Sequence, residues 1–232
     1  MEAGSPPPSR REIGKAERRR RIIAAAGALL RESGLDAVSM TQIAERAGVS
    51  PATLYNLFQA KGAIFRQVFD LDLHQFEKLL AEERARDGLE RVFAAIELAA
   101  SLCRRDPEFY RAMVRAGGSD AERLSSAISE PRTAFWQAQV AAAIAAGCLR
   151  SDTDAQLLGV ALSQFMRGVF LEWAAGFISA ERLAEEAAYG FSLALLAYAT
   201  DLAAPALEAR LRSLQAALAA RERNGRRVLA GC

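Results

Sequence analysis

Apolar side chains recur along most of the chain with the three-to-four-residue spacing of one helix face. The first segment of this kind places four of them on a common face: Ile22, Ala26, Leu29 and Leu30. Ala and Leu, which favour helices, supply much of the 51% of residues that are hydrophobic, and runs that alternate β-branched or aromatic residues with polar ones are nearly absent. The pattern therefore predicts an all-α protein.

Glycine, proline and capping residues divide this pattern into successive helices. The first runs from about Ile13 to Gly34, where a left-handed residue suits a helix C terminus. The fourth runs from about Lys61 to Arg84. Asp-Gly, Asp-Pro and Gly-Gly-Ser breaks predict further helices at about 88–104, 107–116, 120–146, 153–175, 180–200 and 205–222. Pro131 indicates a kink or a division in the third of these.

Residues 39–58 contain two short helical patterns joined by a tight connection. A Ser-x-x-Gln capping box at Ser39 starts the first helix, and Gly48 ends it. Ser50 followed by Pro51 starts the second, as an N-cap and a first helical residue. Such a pair is typical of a helix-turn-helix, but it also suits a plain corner between core helices. Both interpretations stay open until the neighbouring residues are considered.

Formal charge is distributed unevenly along the chain. Residues 1–66 hold 11 Lys or Arg against 6 Asp or Glu, a net charge of +5, and the remainder holds 19 against 22, a net charge of −3. A basic first quarter suits a nucleic-acid-binding head on a different kind of body. Together with hydroxyls at both helix starts and with Lys61 at the next helix, the charge favours the DNA-binding interpretation of residues 39–58.

Other kinds of chemistry find little support in the sequence. No apolar run reaches the roughly 18 residues of a membrane span, and no signal-peptide core is present, so we expect a cytoplasmic protein. The DNA-binding interpretation would make it nucleoid-associated. Cys103, Cys148 and Cys232 lack CxxC spacing, and His74 is the single histidine. We find no nucleophilic motif, metal-ligand spacing or phosphate loop, and we expect no enzyme activity, catalytic residue, cofactor or metal site. Whether a cysteine is redox-active depends on a thiol pKa that the sequence leaves open.

A specific string of motifs follows the first helix. That helix ends at a glycine and is followed by IAERAGVS, TLY, a Phe and a Lys, all within residues 18–69, RRRRIIAAAGALLRESGLDAVSMTQIAERAGVSPATLYNLFQAKGAIFRQVF. The segment resembles the DNA-binding domain of the tetracycline-repressor (TetR) family of bacterial transcriptional regulators. The resemblance implies a helix-turn-helix domain over 13–60, a connecting helix over 61–86 and a helical ligand-binding and dimerisation domain over 87–232. The Pro- and Ser-rich start predicts a disordered tail over 1–12.

The same resemblance implies where DNA would be contacted. Positions that contact phosphates in the family correspond here to Ser39, Thr41, Ser50, Thr53, Tyr55 and Lys61. The exposed positions that face bases correspond to Pro51, Ala52 and Asn56. Only Asn56 carries an amide that could pair bidentately with an adenine, so we expect it to read sequence.

The chain departs from the family pattern near the end of the recognition helix. Asn56 and Leu57 stand where the family commonly has a second aromatic residue and then His, so contacts through those side chains are not implied. Ala60 replaces the usual capping residue of the next helix, and Gly62 replaces a common Glu. We therefore expect the connecting helix to start less rigidly.

The C-terminal two thirds of the chain resembles the family only in pattern. Dimerisation is implied, because two recognition helices must meet successive major grooves of a palindromic double-stranded operator. Segments 153–175 and 180–200 would form a four-helix bundle with those of a second copy, where close approach is allowed by small residues: Gly159, Ala161, Gly168, Ala188 and Ser192. Packing within one subunit explains each of these equally well.

Aromatic and sulfur-containing side chains of the middle helices are candidates for an effector pocket. The ligand-binding candidates are Phe109, Tyr110, Met113, Phe135, Trp136, Gln139, Phe165, Phe170 and Trp173, with Gln164 and Arg167 as further polar anchors. Ordinary core packing is the alternative for each ring. Because rings outnumber charges, an unidentified small hydrophobic or aromatic effector is favoured.

These observations lead to one main functional expectation. We expect a ligand-responsive transcriptional repressor that binds a palindromic operator as a homodimer and is released by its effector. The alternative is a DNA-binding protein of the same fold with a partner-binding or architectural role and no small-molecule sensing.

Overall fold

α-Helices account for almost all of the backbone that the structure describes. The computed structural model describes residues 9–83, 88–116 and 122–230, and within them the helices are α1 (Arg10–Ala37), α2 (Met40–Ala47), α3 (Pro51–Phe58), α4 (Lys61–Glu82), α5 (Gly88–Arg105), α6 (Pro107–Ala116), α7 (Glu122–Ala145), α8 (Ala155–Ala174), α9 (Ala180–Leu196) and α10 (Ala204–Ala230). An isolated bridge between Leu149 and Ala199 joins two turns. The all-α prediction, with a helix-turn-helix at the N-terminal end, is confirmed.

The first helix starts earlier than its apolar pattern suggests. α1 begins at Arg10 rather than near Ile13, because Ser9 and Glu12 form a capping box. The Ser9 hydroxyl accepts from the Glu12 amide at 3.3 Å, and the Glu12 carboxylate accepts from the Ser9 amide at 2.7 Å. Hydrogen bonds from the Ser9 amide and then from its side chain to the Glu12 carboxylate lower the pKa of that carboxyl. Residues 1–8, which make up most of the predicted tail, lie outside the described residues.

Caps define α2 and α3 as the sequence predicts. The Ser39 hydroxyl accepts from the Gln42 amide at 3.2 Å, and the Ser50 hydroxyl accepts from the Thr53 amide at 3.2 Å. Between the helices Gly48 adopts φ 63°, a left-handed conformation that glycine reaches without steric cost. The connection is therefore short and fixed in direction.

Several later boundaries differ from the predicted ones. α9 ends at Leu196 rather than near residue 200, because Thr200 donates to the Cys148 carbonyl and Tyr198 accepts from the Arg150 amide in the bridge between turns. α10 continues to Ala230, beyond the predicted 222. α7 is not divided at Pro131. The breaks predicted at 87 and 117 lie outside the described residues.

α4 belongs to both halves of the molecule. Its first part buries Ile64, Phe65, Val68 and Phe69 where α1 packs against it, and its second part packs against α5 and α7. α1 also packs against α6, while α8 lies between α7 and α9. The N-terminal helices are thus joined to the body through α4 and through the contact between α1 and α6.

Candidate nucleic-acid interface and buried cavity

One face of α3 is left exposed by the packing of the other. Leu54 and Phe58 are fully or almost fully buried, at 0% and 3% exposure, and hold α3 against the core. The opposite face exposes four of the predicted DNA-contacting residues: Pro51, Ala52, Tyr55 and Asn56. Since these side chains project from a short helix beside a tight turn, the face has the shape needed to enter a major groove.

The predicted phosphate-contacting hydroxyls lie at the starts of α2 and α3. Ser39, Thr41 and Ser50 are exposed, and Thr53 is half-buried. The Ser50 and Thr53 hydroxyl oxygens are 2.9 Å apart, and the Ser39 hydroxyl donates to the Gln42 side-chain oxygen at 2.9 Å. The caps therefore hold these oxygens in place at two helix N-termini, where backbone amides also point outward.

Lys61 has a structural role that its sequence position did not indicate. Its ammonium donates to the Leu35 carbonyl at 3.1 Å and to the Val38 carbonyl at 3.0 Å. Both carbonyls lie beyond Gly34, which has φ 73°, at the C-terminal end of α1, where no following turn of helix supplies donors. Lys61 thus ties the start of α4 to the end of α1, and one of its three protons remains for a phosphate. Ala60 before it makes no side-chain cap, in line with its departure from the family pattern.

Two arginines that the sequence reasoning missed fix the arrangement of the first three helices. Arg19 donates to the Leu57 carbonyl at 3.2 Å and lies 4.6 Å above the centre of the Phe58 ring. Arg46 of α2 forms a bidentate pair with Glu32 of α1 at 2.8 and 2.7 Å, and its hydrogen bonds lower the pKa of the Glu32 carboxyl. Arg19 closes the C-terminal end of α3, and Arg46 joins α2 to α1.

A cavity of about 430 Å³ lies among α4, α5, α6, α7 and α8. Its wall is mostly apolar and includes five of the nine predicted ligand-binding residues: Tyr110, Met113, Phe135, Trp136 and Phe170. The predicted anchors Gln164 and Arg167 also line it, on α8. A space of this size and character is typical of a small-molecule site.

The other four predicted ligand-binding residues lie outside the cavity. Arg31 covers the Phe109 ring at 4.7 Å, and Arg111 covers the Trp173 ring at 5.4 Å. Gln139 is buried and accepts a hydrogen bond from Arg91 at 3.1 Å. Phe165 is 43% exposed on the outer side of α8. Helical spacing placed all four in the middle helices but could not tell which neighbour each side chain faces.

A polar cluster at the cavity wall was not predicted. Asp72 of α4 accepts from the Tyr110 hydroxyl at 2.8 Å and lies 3.4 Å from the Arg132 guanidinium of α7. The Arg132 guanidinium also lies 3.1 Å from the sulfur of Met113. A signal was present in the sequence, since Asp72 interrupts the apolar i, i+4 series between Val68 and Phe76.

Burial controls the ionisation of this cluster. It raises the pKa of the Asp72 carboxyl, although Arg132 and the hydrogen bond from Tyr110 oppose the shift. Burial and then the charge of Asp72 raise the pKa of the Tyr110 hydroxyl well above its ordinary value, so the phenol remains a hydrogen-bond donor. Burial lowers the pKa of Arg132, and Asp72 opposes this. The pair is therefore close to electrically neutral and offers hydrogen bonds instead of net charge.

Burial limits the reactivity of the cysteines that the structure describes. Cys103 and Cys148 are buried, and burial raises the pKa of the Cys103 thiol to about 12, which suppresses the reactive thiolate.

In the described ranges no His, Cys, Asp and Glu side chains group in a way that could hold a metal ion. The same ranges contain no helix of sufficient length and hydropathy to cross a bilayer.

Sequence comparison connects the helix-turn-helix with known regulators. A model described as bacterial regulatory proteins, tetR family, matches residues 22–68. The chain is 33% identical over 100 residues to the HTH-type transcriptional repressor KstR of Rhodococcus jostii, a match that covers 43% of this chain and 47%, or about half, of that relative. It is 30% identical over 139 residues to an uncharacterized HTH-type transcriptional regulator, YdeS of Bacillus subtilis, covering 59% of this chain and 69% of YdeS.

Structural comparison extends the likeness to the body. Thermus thermophilus FadR, a TetR-family transcriptional repressor solved in complex with lauroyl-CoA, aligns with a TM-score of 0.64 and 23% identity. The alignment covers 76% of this chain and 93% of FadR. At this identity the likeness shows a shared fold.

The contacts of Lys61 give a prediction for folding that is separate from DNA binding. Replacing Lys61 by Met removes two hydrogen bonds from an ammonium to carbonyls near the end of α1, so the free energy of unfolding should fall by about 1–2 kcal/mol. Chemical denaturation without DNA measures the change. Lys78→Met, at an exposed position of the same helix, is the control and should change stability by less than about 0.5 kcal/mol. Equal stability of the two variants would contradict the capping role.

Proposed function

Because the chain belongs to the TetR family of bacterial regulatory proteins, we propose that it is a ligand-responsive transcriptional repressor. It would bind a palindromic operator as a homodimer, and a small hydrophobic or aromatic effector would release it. The observation that carries the sensing part is the apolar cavity, because its walls include α4 and α6, both of which pack against α1. Its relatives are named as transcriptional regulators, and we propose no enzyme activity.

The proposed DNA contacts divide into positioning and reading. The hydroxyls of Ser39, Thr41, Ser50, Thr53 and Tyr55, with the remaining Lys61 proton, suit phosphate oxygens and would set the position of the protein on the duplex. Pro51 and Ala52 would pack against base edges. Asn56 is exposed and its amide offers a donor and an acceptor, which match adenine in the major groove.

Replacing Asn56 by Ala tests the reading role. We expect the variant to lose preference at one base step, worth about 1–3 kcal/mol, with unchanged binding to random-sequence DNA. Titration of an operator duplex, located by footprinting upstream of the protein's own gene, against variants of each base pair gives the measurement. Gln75→Ala removes an exposed amide from α4 and should leave both affinities unchanged. Identical losses on operator and random DNA would remove Asn56 from the reading role.

The proposed dimer uses an exposed stripe on α8 and α9. Leu157, Ala161, Phe165, Gly168 and Leu171 are all exposed and lie at helical spacing on one side of α8; Leu157 is 71% exposed. Leu193 of α9 and its C-cap residue Ala197 are also exposed. A stripe of apolar and small residues on two neighbouring helices suits a self-complementary four-helix contact.

The small residues named from the sequence divide between two environments. Gly159, Ala188 and Ser192 are buried within the subunit. A Cβ atom on Gly159 would lie 2.6 Å from the Gln137 Cα, so glycine there serves the contact between α7 and α8. Gly168, where a Cβ would meet nothing within 4 Å, belongs with Ala161 to the proposed interface.

Replacing Ala161 by Arg should separate the proposed dimer, because a long charged side chain would lie in the middle of the apolar stripe. Sedimentation at micromolar concentration should change from dimer to monomer, and operator affinity should fall because two half-sites are no longer bound together. Ala141→Arg places the same side chain at an exposed position of α7 and should remain dimeric. A dimeric Ala161→Arg protein would place the interface elsewhere.

The cavity favours an effector that is largely apolar and carries a hydrogen-bonding group. The Asp72, Tyr110 and Arg132 cluster offers donors and acceptors at one end, and the Thr133 and Ser163 hydroxyls, 2.9 Å apart, offer another pair. A fully charged group beside the neutralised cluster would add an uncompensated buried charge. The lauroyl-CoA bound by FadR makes long-chain acyl thioesters one class to test.

Release would follow from differential affinity. An effector that contacts α4 and α6 and binds more tightly to an arrangement with wrongly spaced recognition helices shifts the population of dimers off DNA. The protein would thus repress transcription until its effector binds.

Thermal-shift screening of hydrophobic compounds, acyl-CoAs included, tests the sensing role. A compound present at 100 times its Kd should add about 2.7 kcal/mol to the stability of the native protein and should reduce operator binding. Leu102→Trp should fill the cavity and abolish both effects, whereas Leu102→Met conserves the volume and should retain them. If no compound acts while a protein partner binds the body, the alternative of a partner-binding DNA-associated protein replaces this proposal.

A further inference from the structure

The first three turns of α1 form a basic segment outside the packed core. Residues 10–21 hold seven Lys or Arg and two Glu, a net charge of +5, and none of these twelve residues is buried. Burial along α1 begins at Ile22. At about 1.5 Å per residue the basic segment extends roughly 18 Å beyond the buried part of the helix.

Some of these charged side chains already have partners within the chain. Arg19 is held by the Leu57 carbonyl and the Phe58 ring, and Arg20 pairs with Glu17 at 3.0 Å. Glu12 serves the N-terminal capping box. Within the part of the chain that the structure describes, no ion pair involves the remaining cations: Arg10, Arg11, Lys15, Arg18 and Arg21.

Three of these cations share one face of the helix. Arg11, Lys15 and Arg18 are spaced by four and three residues, and the next step of four reaches Ile22, which is fully buried. The basic stripe therefore continues, beyond the core, the same face of α1 that packs inward. It projects toward the side of α1 on which the rest of the N-terminal helices lie.

The base of the segment lies beside both ends of α3. The guanidinium of Arg21 would be 3.7 Å from a Cβ atom on Gly48, in the turn before α3, and Arg19 contacts the last turn of α3. A duplex bound by α3 therefore passes close to the base of the segment. The stripe then extends away from the helix-turn-helix along the direction of α1.

We propose that residues 10–21 are a DNA-binding arm, whose stripe of Arg11, Lys15 and Arg18 contacts phosphates of the duplex flanking the half-site that α3 reads. The inference rests on the proposed operator binding and adds a second contact region to it. A partner with one negative charge per about 1.7 Å of axis complements a helical segment of net charge +5. Because these side chains would meet backbone oxygens, the arm adds affinity without base preference.

The arm has a measurable electrostatic signature. Each phosphate neutralised on duplex DNA contributes about 0.9 to the slope of log affinity against log salt concentration. Loss of three contacts should therefore reduce the magnitude of that slope by about 3 per subunit. The reduction should occur only where flanking phosphates are present.

The test compares a triple variant of the full chain, Arg11→Gln with Lys15→Gln and Arg18→Gln, on two operator duplexes. One duplex holds only the footprinted core, and the other adds about ten base pairs, one helical turn, on each side. On the extended duplex we expect a salt slope lower in magnitude by about 3 per subunit and an affinity lower by roughly tenfold or more. On the core duplex the variant and the parent protein should bind alike, which also shows that the variant is folded.

Two controls separate the arm from general effects of charge. Lys78→Gln with Arg105→Gln and Arg223→Gln removes the same charge from exposed positions of α4, α5 and α10 and should match the parent on both duplexes. Arg11→Lys with Arg18→Lys keeps the charge and should retain the parent slope.

Three results would overturn the arm. They are an unchanged slope of the triple variant on the extended duplex, an equal loss on both duplexes, and an equal loss in the body control. Failure of the parent protein to bind any duplex would overturn the operator proposal as well, so the two failures are distinguishable.

Discussion

The partly buried carboxylate of Asp72 joins three helices at one point. It lies on α4, accepts a hydrogen bond from Tyr110 of α6 and pairs with Arg132 of α7. Removing one partner of a partly buried ion pair leaves the other charge in a poor solvent, at a cost below the about 3–5 kcal/mol of a fully buried pair. Separation of these helices therefore carries a free-energy cost. Any rearrangement of the cavity must move them together, provide new partners for the carboxylate, or allow it to take up a proton, which its raised pKa makes easier.

A residue next to this cluster in the sequence contacts the N-terminal helices. Tyr110 faces the cavity, and its neighbour Phe109 lies under the guanidinium of Arg31 from α1. Arg31 also pairs with Asp106, at 2.6 Å, just before α6 begins. A turn of α6 thus has one side in the cavity and the other against α1. A displacement at the first side must be accommodated at the second, which gives a physical route between effector and operator without any long chain of intermediates.

Local signals allowed much of the fold to be predicted, and tertiary contacts explain the rest. Local hydrogen bonds and turn geometry at Ser39, Gly48 and Ser50 define α2 and α3, so the sequence alone predicted both helices. The start of α1 was misplaced because the apolar pattern begins later than the capping box does. In the cavity, the choice between Phe135, which lines it, and Phe165, which does not, depends on how α7 and α8 are rotated against their neighbours. That rotation is set by packing of the whole body, and no local pattern encodes it.

A series of rings in edge-to-face contact runs from the cavity to the outer side of α8. Phe76, Phe135, Trp136, Phe191 and Phe165 follow one another with centroids 4.8 to 6.3 Å apart. The first three line the cavity, and the last is exposed on the stripe of α8. Because interiors are close-packed, a change of size at either end is felt by its neighbour. A substitution that reshapes the cavity for a new compound therefore also changes the packing beneath the exposed surface of α8.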